Sequence, residues 1–217
     1  MSARIEHLET SGTFSLDGET HQVDNNIWIV GDDQEVIVID PAHDADAVEK
    51  QVAGRRVVAI LLTHGHDDHA RQVLDVQRLV GGRIHLNPED KMLWEEVHGA
   101  QEPDVEISEG DVFTVSDVKL TAMHTPGHSP GSTCFFIEEI DRGEHGVGPV
   151  LFSGDTMFSG GPGATGRSYS SFATIIDSIR EKLLTLDEDT LVNTGHGPST
   201  VIGEEKSHLP EWIDRGH

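Results

Sequence analysis

Six consecutive apolar residues, Val57-Val58-Ala59-Ile60-Leu61-Leu62, run directly into Thr63-His64-Gly65-His66-Asp67-Asp68-His69. A short apolar run rich in β-branched residues reads as a strand buried on both faces. Such strands belong to sheets covered by helices, and ligands of α/β proteins gather at the carboxyl edge, where these histidines begin. His64, His66, Asp68 and His69 place three imidazoles and a carboxylate within six residues. Side chains alternate along an extended chain, so His64 and His66 face one side. Asp68 and His69 fall where a helix over about 67–79 is expected to begin, aimed at a neighbouring point. That arrangement suits two adjacent metal ions better than one.

Around this stretch the pattern alternates strands and helices. Residues 25–31 and 35–40 read as a hairpin closed by Pro41, and 1–24 as one or two short strands with a turn at Asp17-Gly18. Helices are expected over about 45–53, 88–98, 172–184 and 204–215, with Ser170 or Ser171 as a cap. Strands are expected over 83–86, 112–115, 118–124, 132–137 and 150–153, and from Leu191. The polar segment 138–148 reads as a surface loop. With 217 residues, no long linker and no repeat, one layered α/β domain over 1–217 is expected.

The net charge is −24, which disfavours nucleic-acid substrates by repulsion of phosphates. No apolar run approaches a membrane span, so no membrane partner is expected. Met1-Ser2-Ala3-Arg4-Ile5-Glu6 lacks a basic-then-apolar leader. Cys134 is the single cysteine, which rules out thiolate metal sites and fits a cytoplasmic location.

Three later stretches repeat the design of an apolar strand ending in a potential ligand. They are His124-Thr125-Pro126-Gly127-His128, Val150-Leu151-Phe152-Ser153-Gly154-Asp155, and Leu191-Val192-Asn193-Thr194-Gly195-His196. Small residues beside the ligands let a metal approach the backbone. From spacing alone, either His124 or His128 can point inward.

The order His64-x-His66-x-Asp68-His69, His128, Asp155, His196 resembles the metallo-β-lactamase superfamily over about 25–202. The resemblance implies a four-layered αββα sandwich with metals at one edge between the sheets. It implies His64, His66 and His128 on one metal, Asp68, His69 and His196 on the other, and Asp155 bridging. His124 would then brace its turn rather than ligate. Imidazole and carboxylate donors suit two divalent ions, zinc foremost, with iron or manganese as alternatives. The expected chemistry is hydrolysis by a metal-bound hydroxide oriented by Asp68.

Within that superfamily the ending His196-Gly197-Pro198-Ser199-Thr200-Val201-Ile202-Gly203 is similar to small glyoxalase II-like hydrolases, which implies an acyl thioester of a low-molecular-weight thiol as substrate. Only 21 residues follow His196, and Ser159–Ser168 is glycine-rich instead of aromatic and lysine-bearing, so glutathione itself is not implied. That stretch is expected at the mouth of the site, with Arg167 as the candidate grip for a substrate carboxylate and Tyr169 as a candidate hydroxyl. The runner-up is a mononuclear Fe(II) persulfide dioxygenase using His64, His128 and Asp155, followed by a lactonase.

Overall fold

The computed structural model describes residues 2–216. In chain order the elements are β1 (Arg4–Leu16), β2 (Glu19–Gly31), β3 (Glu35–Ile39), α1 (Ala45–Val52), β4 (Arg56–Leu61), α2 (Asp67–Ala70), α3 (Val73–Val80), β5 (Ile84–Leu86), α4 (Lys91–His98) and β6 (Val105–Glu106). The second half holds β7 (Val112–Val115), β8 (Val118–His124), β9 (Thr133–Asp141), β10 (Val147–Gly154), β11 (Met157–Phe158), β12 (Gly161–Pro162), α5 (Phe172–Glu181), β13 (Leu191–Thr194), β14 (Thr200–Val201), α6 (Ile202–Lys206) and α7 (Leu209–Arg215). Strands β1 to β6 pair in sequence order, antiparallel through β3 and parallel from β3 to β6. The other half pairs as β7-β8-β9-β10-β13-β14. One parallel register, Arg4 with Asp141, joins the two halves at a corner.

The layers follow from alternation along each strand. On β2 and β3, Trp28, Val30, Ile37 and Ile39 pack against Val115, Leu120, Phe135, Ile137 and Phe152 of the opposite half. Their neighbours Ile27, Ile29, Val36 and Val38 pack the other way, against Val48 and Val52 of α1 and Val73 and Val76 of α3. On the far side Cys134 and Leu151 meet Ile175 and Ile179 of α5, Ile202 of α6 and Trp212 of α7. Helix, sheet, sheet and helix therefore stack as an αββα sandwich. Strand β4 is buried on both faces as its composition demands. Ala59 and Leu61 enter the inter-sheet core, while Val57 and Ile60 enter the helix-side core.

Several elements differ from expectation. In place of short strands over 1–24, residues 4–31 form two 13-residue strands turning at Asp17-Gly18, the second running unbroken through Asn25 to Gly31. The expected helix over 67–79 breaks after Ala70 into two, because α2 packs on β1 and α4 while α3 packs on α1. Segment 138–148 is not all loop: β9 runs to Asp141 and pairs with β10 from Val147, burying Ile140. The closing helix divides between Lys206 and Leu209, where Pro210 suits the first turn of a new helix. Among the described residues no helix is long and apolar enough to cross a membrane.

Candidate metal centre

Four chain segments converge at one edge of the sandwich: the turn after β4 with α2, the β8–β9 loop, the end of β10 and the end of β13. They bring together His64, His66, Asp68, His69, His128, Asp155 and His196, the whole set expected from sequence. Donor atoms of His64, His66 and His128 lie within 4.8 Å of one another, as do those of Asp68, His69 and His196. A third combination, His64, His69 and Asp155, meets the same limit and joins the two. Asp155 reaches both sides: Oδ1 is 3.4 Å from His69 Nε2, and Oδ2 is 3.6 Å from His128 Nε2 and 3.3 Å from His196 Nε2. Gly195 makes this approach possible, since a Cβ there would stand 2.2 Å from Asp155 Oδ1.

The outward ring nitrogens settle which ring nitrogens turn inward to face a metal. Carbonyl oxygens only accept, so His128 Nδ1–H donates to Ala164 O at 2.9 Å and His196 Nδ1–H to Asp24 O at 2.7 Å. The Thr63 hydroxyl donates to Asp40 Oδ2 at 2.7 Å, so its oxygen accepts from His64 Nδ1–H at 3.0 Å. His64 Nε2 is left buried with no hydrogen-bond partner, and His66 Nδ1 faces His128 Nε2 at 3.0 Å. A buried ring nitrogen with no partner, as at His64 Nε2, is costly unless a cation lies beside it. The donors present therefore fit divalent metal.

Burial pushes His64 well below the usual imidazole value and His66 down to about 3, so these two rings are neutral. In the second group burial would also lower the imidazoles, but Asp68, Asp40 and Asp155 hold His69 well above its ordinary value, and Asp155 lifts His196 to about 10. Burial alone would raise Asp68, yet His69 and His196 hold it down to about 2. Asp155 is likewise held well below the carboxylate range against its burial, by His196 and His69. Divalent cations held by this half would take the place of protons on these two imidazoles.

A cleft of about 570 Å³ opens over these donors, lined by His66, Asp68, His128, Asp155 and His196 together with Phe14, Val23 and Phe158. Ser159, Ala164 and Arg167 place the glycine-rich stretch at its mouth, as expected. The Arg167 guanidinium sits 4.8 Å from the Phe14 ring centroid. Tyr169 is exposed, has a left-handed backbone (φ +67°) and does not line the cleft, so the structure leaves it apart from the other candidates. His124 braces its turn, with Nε2 2.8 Å from the carbonyl of Pro130.

Sequence reasoning missed the supporting carboxylates. Asp40 Oδ1 accepts from Thr63 N at 2.8 Å, and Asp40 follows the apolar run of β3, a signal of the same kind as Asp155. Asp90, fully buried, accepts from Gly65 N at 2.8 Å, Ser129 Oγ at 2.7 Å and Gly131 N, tying the two histidine-bearing loops together. Asn25, also fully buried, donates to Asp68 Oδ2 at 3.0 Å. No local pattern marks Asp90.

A family model described as the metallo-beta-lactamase superfamily matches residues 22–196. An uncharacterized protein of Aquifex aeolicus (strain VF5) is 38% identical over 198 residues, covering 85% of this chain and 90% of its own. The hydroxyacylglutathione hydrolase GloC of Haemophilus influenzae is 32% identical over 199 residues, covering 85% of this chain and 89% of its own. Among solved structures, BLEG-1, a B3 metallo-beta-lactamase, superposes with a TM-score of 0.74 at 28% identity, covering 94% of this chain and 99% of its own. TTHA1623 in a di-iron-bound form gives 0.71 at 26% identity, with 91% and 96% covered. ETHE1 from Myxococcus xanthus gives 0.70 at 22% identity, with 94% and 85% covered, a likeness of fold.

Proposed function

The chain belongs to the metallo-beta-lactamase superfamily, and we propose that it is a dinuclear metal-dependent hydrolase of an acyl thioester carried by a low-molecular-weight thiol. The observation that carries this reading is Asp155, whose carboxylate lies within 3.6 Å of histidines from both donor groups. His64, His66 and His128 would hold one ion, Asp68, His69 and His196 the second, with Asp155 reaching both; zinc suits these donors, as do iron and manganese. Bound there, two divalent cations supply Lewis acidity and lower the pKa of water from 15.7 toward about 7.

The chain's own residues supply the rest. Asp68 lines the cleft as an ionised carboxylate, able to accept a hydrogen bond from the attacking water and fix its direction. Water adds to the thioester carbonyl, the C–S bond breaks, and acid and thiol are released. Phe14, Val23 and Phe158 give the carbon portion of a substrate apolar walls that exclude bulk water. Arg167 offers a guanidinium to a substrate carboxylate at the mouth. The hydrolase named GloC, at 32% identity, supports a thioester as the substrate class. A reducing, cytoplasmic setting fits the lone, buried Cys134.

A persulfide dioxygenase using only His64, His128 and Asp155 leaves the Asp68–His69–His196 group without a task, so the dinuclear reading is favoured. The test is a panel of acyl thioesters assayed without oxygen. Thiol release under those conditions is expected; oxygen uptake with a persulfide and no thioester cleavage overturns the reading.

A further inference from the structure

Asn25 and His43 stand behind Asp68 and take no part in the chemistry above. The Asn25 side chain is fully buried on β2. Its Nδ2 lies 3.0 Å from Asp68 Oδ2 and its Oδ1 lies 2.7 Å from His43 Nε2. The amide nitrogen donates to Asp68 Oδ2, which leaves the amide oxygen to face His43. That oxygen needs a donor, which fixes His43 as the tautomer protonated on Nε2. His43 is held in place from two directions. Its backbone adopts φ +55°, and β1 passes so close that a Cβ on Gly12 would lie 2.1 Å from His43 Nδ1.

The consequence falls on the two oxygens of Asp68. Oδ2 receives the Asn25 amide and faces the second donor group, 3.3 Å from His196 Nε2 and 3.5 Å from His69 Nε2. Among the described residues Oδ1 has no hydrogen-bond partner, and Asp68 lines the cleft.

We propose that Asn25, locked by His43, is a positioning residue that commits Asp68 Oδ2 to the donor cluster and leaves Oδ1 for the substrate side. This rests on the hydrolase reading for its kinetic consequence, though not for its geometry. His43 and Asp68 hold opposite ends of one amide, so without His43 the amide is free to tilt away from Oδ2 and its donation there weakens. Supporting groups of this kind change metal affinity or activity by about 10–100-fold when removed.

The test uses the full chain, with three readouts. In the unaltered metal-loaded protein, ¹⁵N NMR should find His43 protonated on Nε2; protonation on Nδ1 overturns the proposal. In a Co²⁺ titration of metal-free protein, Asn25→Ala and His43→Phe should weaken the binding step at the Asp68 group about 10–100-fold and leave the other step unchanged. His43→Gln, which keeps a donor toward Asn25, should restore it. On a cleaved thioester, kcat should fall by a similar factor with KM within about twofold, again rescued by His43→Gln. Wild-type metal affinity and kcat in both Asn25→Ala and His43→Phe overturn the positioning role. Loss of the metal step with no thioester cleavage in the unaltered protein retains the positioning role and removes the hydrolase reading. Because His43 is only half-buried, its variants keep the test open if Asn25→Ala does not fold.

Discussion

Asp40 Oδ2 lies 3.0 Å from His69 Nδ1, and the same carboxylate accepts from the backbone N–H and hydroxyl of Thr63. One buried carboxylate at the end of β3 thus fixes the entry to the histidine cluster and orients one of its rings. The backbone of Asp40 itself is left-handed, at φ +50°, a region sparsely populated by residues other than glycine. The fold spends local strain where the site is built.

Asp40→Asn should therefore lower metal affinity or activity about 10–100-fold while the chain still folds. The asparagine keeps an acceptor for Thr63 but removes the charge facing His69. Metal titration and kcat on a cleaved thioester check this, and wild-type values for both would show that His69 needs no such partner.

Asp90 acts at a different level. It joins Gly65 of the α2 turn to Ser129 and Gly131 of the β8–β9 loop. Asp90→Ala strands three donors in a dry site and should cost about 2–4 kcal/mol of stability. Urea unfolding at neutral pH measures it; a loss under about 0.5 kcal/mol contradicts the bracing role.

Burial pushes His85 down to about 4, and its Nδ1 is buried without a partner. The folded value lies below the unfolded one of about 6.5, so between them the unfolded chain binds the extra proton. Stability from this residue is present above about pH 6.5 and is lost as pH falls toward 4. His85→Gln should lose less stability than the unaltered protein between about pH 7 and pH 5. Equal losses would assign the acid sensitivity elsewhere.

Arg167 reaches the cleft mouth over Phe14 and makes no ion pair among the described residues. Arg167→Ala should raise KM for a carboxylate-bearing substrate about tenfold or more, with kcat nearly unchanged. A neutral substrate of the same size should show no such change. An unchanged KM for the charged substrate ends that assignment.

What the sequence could disclose follows from how local each feature is. The run Val57–Leu62 states its own burial, and each ligand except Asp68 and His69 comes within five residues after the end of a strand. Asp90 is illegible because its partners lie 25 and about 40 residues away along the chain and meet it only in the folded state. The break at Arg71-Gln72 is hidden for a related reason: continuous helical periodicity gives no sign that α2 and α3 pack on different neighbours. Tyr169 directly follows the glycine-rich stretch in sequence, but its left-handed backbone accompanies a side chain that does not line the cleft. Asp40 was within reach of the same rule that found Asp155.

Metal stoichiometry tests the central claim most directly. Protein purified without added metal and analysed by mass spectrometry for its elements should carry about two divalent ions per chain, falling to about one in His69→Ala. A single iron per chain in the unaltered protein, unchanged in His69→Ala, would contradict a dinuclear hydrolase.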